Sequence, residues 1–406
     1  MIPASHRKGF IENRLDRLRD VLTGHVEHGG VPGLVALVAR GDEVHVEAIG
    51  ARSIGGGAMA RDTLFRVSSM SKPVTAVATM ILIEECRLRL DDPVDELLPE
   101  LADRRVLRHL DGPLDDTVPA HRPITVRDLL TFRMGTGVLM APPGSYPIQQ
   151  AMDALDLGQG APRPSLVPEP DEWLRRLGTL PLMYQPGERW LYNTGSDVLG
   201  VLIARASGQA FGEFLRERLF EPLGMTSTAF SVTPDQLDRF ATAYWDDPAT
   251  GALTVYDEAV GGEWAAPPAF QAGAAGLVST VDDFHRFGRM LLDGGRADGE
   301  RILSRASVEL LTTDQLTPEQ KALSSLVSGF LDSDGWGFGG SVVTRRTDLG
   351  HPVGQYGWTG GLGTAWAVDP TDQVIGVLLT QRAFTSPTTA TVVQDFWTST
   401  YQALGD

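Results

Sequence analysis

The stretch from about Ser69 to Arg87 constrains the fold more than any other part of the chain. Val74, Val77, Ala78, Ile81 and Leu82 recur at helical spacing with apolar neighbours on nearly every side. A helix that is apolar all round cannot sit on a surface, so the rest of the chain must wrap it. With 406 residues, there is ample chain to build such a core. No apolar run approaches the ~18 residues that a membrane span needs.

The flanking segments supply the layers. Ile11, Leu15, Leu18 and Leu22 predict an amphipathic helix over about 8–28. Gly33 to Arg40 and Glu43 to Ile49 are β-favouring runs joined at Gly41-Asp42, which reads as a hairpin. Near the other end, Val281 to Leu292 and Thr391 to Leu404 read as helices. Gly363 to Val368 and Gln373 to Leu379 read as strands paired around Asp369-Pro370. Between about 100 and 270, proline and glycine clusters alternate with short helices such as Val126 to Phe132, Ser196 to Ala206 and Phe211 to Phe220. The expected fold class is α/β (α+β): an antiparallel β-sheet flanked by helices, formed by 1–100 and 271–406, with an inserted mostly helical lobe over 101–270 that carries lid loops.

Charge and cysteine usage exclude other classes. Lys plus Arg number 35 and Asp plus Glu 52, a net charge of −17, which repels phosphate backbones and anionic lipid. No nucleic-acid or membrane partner is expected, and the sequence is silent on oligomeric state. Cys86 is the only cysteine, so an internal disulfide and a cysteine-based zinc site are ruled out. Residues 1–8 contain no apolar core like that of a secretory signal, and the expected location is cytoplasmic. His25 and His28 lie one turn apart with no third ligand nearby, which reads as a solvated helix end.

Chemistry concentrates at Ser69-Met70-Ser71-Lys72, expected to open the apolar helix. Residues three apart on a helix share a face, so the Ser69 hydroxyl and the Lys72 amine can touch. A helix N-terminus favours a developing alkoxide and disfavours an ammonium. Burial also lowers an amine's pKa, turning lysine into a usable base. By itself the pattern is equally that of a capping serine and a solvated lysine. Lysine usage tips the balance: Lys8, Lys72 and Lys321 are the only lysines, and every other cation is arginine, which cannot give up its proton. No serine has glycine two positions away on both sides, so the nucleophile elbow of α/β-hydrolases is absent.

The segment Phe65-Arg66-Val67-Ser68-Ser69-Met70-Ser71-Lys72-Pro73-Val74-Thr75-Ala76 resembles the nucleophile motif of serine β-lactamases and penicillin-binding proteins, in particular the class C branch with the family VIII carboxylesterases. Similar to further signatures of that superfamily, in its order, are Ile124 to Thr131, Pro186 to Asn193, Glu221 to Met225, Gly276 to Thr280 and Gly357-Trp358-Thr359-Gly360-Gly361. The resemblance runs from about residue 10 to the end. It implies a β-lactamase/transpeptidase-like fold, with Ser69 as acylated nucleophile, Lys72 as proton acceptor and Tyr192 as a second proton-handling group. Tyr192 would be a phenol acidified by neighbouring positive charge; otherwise it is a core aromatic. Backbone N–H groups of Ser69 and Gly361 would form the oxyanion hole, and Trp358, Thr359 and Gly360 would border the substrate. The glycines also suit an ordinary bulge or turn. Trp336 either lines the same cleft or packs in the core.

Two departures bear on substrate. Thr194 stands where the superfamily often has asparagine, and Trp358 replaces the lysine of its Lys-Thr-Gly strand. Loss of that cation forfeits a charge-assisted hydrogen bond to an anionic β-lactam, about 1.5–3 kcal/mol. The implied activity is that of a carboxylesterase working on a small-molecule ester through an acyl-enzyme, with no metal or organic cofactor. A β-lactamase, a D-amino-acid amidase or peptidase, or an acyltransferase would use the same Ser-Lys-Tyr machinery; a non-catalytic binding protein of this fold is the remaining alternative.

Overall fold

The computed structural model describes residues 9–157, 160–247, 249–297, 299–324, 329–386 and 390–405. The apolar helix, α2, spans Ser71–Glu84, and every residue from Ser71 to Leu82 is buried. It starts two residues later than expected. Ser68–Met70 form a 3₁₀ turn entered through Ser68 at φ +48°. It also stops earlier, and Cys86 just beyond it takes a left-handed φ of +57°.

The further elements that carry the fold are α1 (Glu12–Glu27), β1 (Gly33–Arg40), β2 (Glu43–Gly50), α3 (Thr194–Ser207), α4 (Val281–Leu292), β3 (Asp334–Trp336), β4 (Ser341–Val343), β5 (Tyr356–Gly360), β6 (Thr364–Asp369), β7 (Val374–Thr380) and α5 (Thr391–Gln402). Seven strands make one antiparallel sheet in the order β3-β4-β5-β6-β7-β1-β2. In β1, Leu34, Ala36 and Val38 face Leu15, Leu18 and Leu22 of α1 and Phe396 and Trp397 of α5. Val35, Leu37 and Ala39 face the opposite layer, with Phe284 and Phe287 of α4. Burial on both faces is why β1 reads as an unbroken apolar run, while edge strand β2 is mixed.

The two-residue hairpin at Gly41-Asp42 pairs Arg40 with Glu43, and Gly41 supplies the positive φ such a turn requires. At the β6–β7 turn, Asp369 Oδ1 accepts the N–H groups of Thr371 and Asp372. The pair sits one residue further along the chain than expected.

Residues 101–270 carry helices, but also two short ribbons that composition did not announce: Arg105–Leu107 with Thr117–Pro119 and Ala243–Asp246 with Leu253–Asp257. One apolar cluster runs from the sheet through Val77 and Ala78 of α2 to Val198 and Leu199 of α3. The nucleophile candidate is thereby held at the head of a helix gripped from both sides. Among the described residues, no single helix is long and apolar enough to cross a membrane. His25 pairs with Asp395 at 2.8 Å, and His28 bonds the Gly24 carbonyl at 2.6 Å. Lys321 forms an ion pair with Asp314 at 2.6 Å, and Lys8 lies outside the described residues.

Candidate active site

Ser69 is the middle residue of the 3₁₀ turn ahead of α2. The turn depends on a left-handed, non-glycine Ser68, a conformation that costs about 1–2 kcal/mol and needs support. Ser71 provides it: its Oγ donates to the Ser68 carbonyl at 2.7 Å and accepts the Leu277 N–H at 3.2 Å. Val67 is tied in turn to Leu277 through its N–H (3.0 Å) and to Thr364 through its carbonyl (3.1 Å). The turn is therefore rigid on three sides, and Ser69, half-buried, borders a cavity of about 1260 Å³.

Lys72 is fully buried, at 0 % exposure. Its Nζ donates to Ser69 Oγ at 2.9 Å and to the Ala274 carbonyl at 2.8 Å. It also stands 4.6 Å above the Tyr192 ring. Burial pushes the amine well below the ordinary lysine range, and the opposing pull of the Asp197 carboxylate only partly restores it. An amine poised to lose its proton thus touches the hydroxyl one turn earlier.

Tyr192 reaches the same point from the strained approach to α3, where Asn193 has φ +85°. Its carbonyl accepts the Val138 N–H at 2.9 Å. Its ring packs edge-on against Phe132 and Trp336, at 5.9 and 6.2 Å between centroids. The expectation of an acidified phenol is not met. Burial raises Tyr192 to about 12, against hydrogen bonding with Ser69 and Trp358 that favours the phenolate. The neighbour that the resemblance would make a lysine is Trp358, whose Nε1–H donates to the Tyr192 oxygen at 2.6 Å. Indole is a donor only, so the Tyr192 oxygen accepts from it.

Trp358, Thr359 and Gly361 border the cavity together with Ser69. At Gly360 a Cβ would lie 2.2 Å from the Val67 carbonyl oxygen, so only glycine lets β5 approach the nucleophile turn this closely. Gly361 has open space where a side chain would be, and its carbonyl is fixed by the Phe384 N–H at 2.9 Å. Among the described residues, the N–H groups of Ser69 and Gly361 donate to no other backbone group. Trp336 does not line the cavity. It is fully buried, with its ring 4.8 Å from Trp358 and 5.0 Å from Phe132, and it serves as backing for the aromatic wall. In the Gly335-Trp336-Gly337 segment, sequence alone left the facing of the indole open.

Sequence reasoning missed Asp197, which borders the cavity in the first turn of α3, and the Ala274 carbonyl. Asp197 could have been flagged as the one carboxylate on a largely apolar helix; a main-chain acceptor leaves no such trace. The cavity continues between apolar side chains that include Met140, Leu157, Val167, Trp173 and Phe270.

A family model described as Beta-lactamase matches residues 18–393. Protein Rv1367c of Mycobacterium tuberculosis is 41 % identical over 361 residues, covering 87 % of this chain and 86 % of that protein. Lovastatin esterase of Penicillium rubens is 31 % identical, covering 87 % and 89 %. Among solved structures, EstCE1, described as a hydrolase with promiscuous acyltransferase activity, superposes with a TM-score of 0.80. It is 26 % identical, with 96 % of this chain and 99 % of that one covered.

Proposed function

The chain belongs to the β-lactamase family, whose members include serine hydrolases and acyltransferases, and on that premise we propose that it cleaves carboxylic esters through an acyl-enzyme on Ser69. One observation carries the reading: a fully buried amine donating to Ser69 Oγ at 2.9 Å and to the main-chain carbonyl of Ala274 at 2.8 Å. In its neutral form Lys72 takes the serine proton as Oγ attacks the ester carbonyl. The oxyanion rests on the Ser69 and Gly361 N–H groups. Tyr192 gives its proton to the departing alkoxide, and the Lys72 ammonium restores it. Water enters by the reverse route and releases the acid.

The neutral Trp358 and the apolar walls support an uncharged ester as substrate. EstCE1's transferase activity supports a second reading, in which an alcohol replaces water at the deacylation step. The direct test is incubation with a fluorophosphonate followed by peptide mapping. One adduct per chain, on the peptide carrying Ser69, is expected; no adduct, or one elsewhere, overturns the proposal.

Trp358→Lys tests the substrate reading. The ammonium would meet a β-lactam carboxylate, so the ratio of cephalosporin to p-nitrophenyl ester turnover is expected to rise about tenfold or more. An unchanged ratio means that residue 358 does not face the substrate.

A further inference from the structure

Thr194 and Asp197 lie one turn apart at the start of α3, on one face of the helix. Thr194, where the resemblance leads to asparagine, does not reach the site: its Oγ1 is buried with no hydrogen-bond partner among the described residues. Asp197 reaches it instead. Its Oδ1 accepts the Ala274 N–H at 2.9 Å, and the Ala274 carbonyl accepts from Lys72 Nζ at 2.8 Å.

The 273–274 segment has little freedom to move otherwise. Thr75 of α2 donates to the Gly273 carbonyl at 2.8 Å, and a Cβ at Gly273 would lie 2.3 Å from the Ser196 carbonyl oxygen. The segment is wedged between α2 and α3, with Asp197 and Lys72 bonded to the two main-chain polar groups of the same residue.

We propose that Asp197 is a positioning residue for acylation: it anchors Ala274, whose carbonyl holds the Lys72 amine against Ser69, and it supplies the anion that this amine faces. The proposal rests on the reading of Lys72 as the base and assigns that base its partner. The titratable groups facing Lys72 are Asp197 and Tyr192; those facing Asp197 are Lys72 and, more weakly, the Tyr192 phenol. Burial works against charge on both members of the Lys72–Asp197 pair, and each draws the other back toward its charged form.

Asp197→Asn separates the two duties, because its carbonyl oxygen still accepts the Ala274 N–H while the charge is gone. An amine that loses its anion protonates less readily, so the Lys72 midpoint must fall. With only three lysines in the chain, ¹³Cε-lysine labelling gives a spectrum in which Lys72 is assigned by its absence in Lys72→Arg. The Lys72 midpoint in Asp197→Asn is expected about half a pH unit or more below that of the unsubstituted protein. The acid limb of kcat/KM for a p-nitrophenyl ester is expected to move down with it. Superimposable titrations overturn the electrostatic half of the proposal.

Asp197→Ala also loses the anchor. Its kcat on the high-pH plateau is expected about tenfold below that of the asparagine variant; equal plateaus overturn the positioning half. The lysine titration requires no turnover, so failure of this inference and failure of the esterase reading are told apart by the fluorophosphonate adduct.

Discussion

Ser69→Ala is expected to abolish covalent labelling and to lower kcat/KM for a p-nitrophenyl ester by about 10⁴-fold or more, with the fold intact. The loss is large because the remaining groups then have nothing to act on. Lys72 and Tyr192 move protons for an oxygen that is gone, and members of such a unit fail together. Stability is spared because Ser69 Oγ is not part of the scaffold of its own turn. Ser71 Oγ, the Val67 carbonyl and Thr364 hold that turn, and Lys72 keeps the Ala274 carbonyl as acceptor. A circular dichroism melt matching the unsubstituted protein, combined with lost turnover and lost adduct, is the expected pair of results. An alanine variant that still takes up fluorophosphonate places the nucleophile elsewhere.

What could be read from the sequence follows from the range over which each interaction acts. The β1–β2 hairpin was legible because apolar period and a glycine turn are local signals, and Ser69 with Lys72 because i, i+3 on a helix is geometry of the backbone alone. The 3₁₀ turn was not, since nothing about Ser68 advertises a left-handed conformation that is imposed by Leu277 and Thr364 from more than 200 residues away. Strands β3 and β4, three residues each, are too short to show alternation, and glycine on either side of Trp336 erases what little there is. The Trp358–Tyr192 hydrogen bond spans 166 residues. It draws the tyrosine oxygen toward the phenolate, against the burial that holds its proton. A motif names the residues in such a pair, but only packing shows that they meet.

Lys72→Met is expected to cost about 10³-fold or more in kcat/KM and, in the same protein, to leave stability unchanged or raise it. Methionine has nearly the volume of the lysine stem and suits a site with no exposure. What it removes is a group whose protonation is harder in the folded chain than in the unfolded one. The sign follows from linkage. A lysine pKa lowered by folding leaves the unfolded chain holding the extra proton between the two midpoints, so stability rises with pH across that interval. The cost is full below the folded-state midpoint and vanishes above the ordinary lysine value of about 10.4. The melting temperature of Lys72→Met should therefore exceed that of the unsubstituted protein most clearly below the folded-state midpoint, and the two should converge as the pH rises toward the unfolded value. The variant does strand the Asp197 carboxylate, whose pKa burial already raises; that group answers by holding a proton, so the gain is limited where the ammonium would have been paired. Thermal melts across pH 5–10, run beside ester turnover, check both halves. Lost turnover with a parallel loss of stability at every pH would mean that Lys72 is a structural cation and not the base at Ser69.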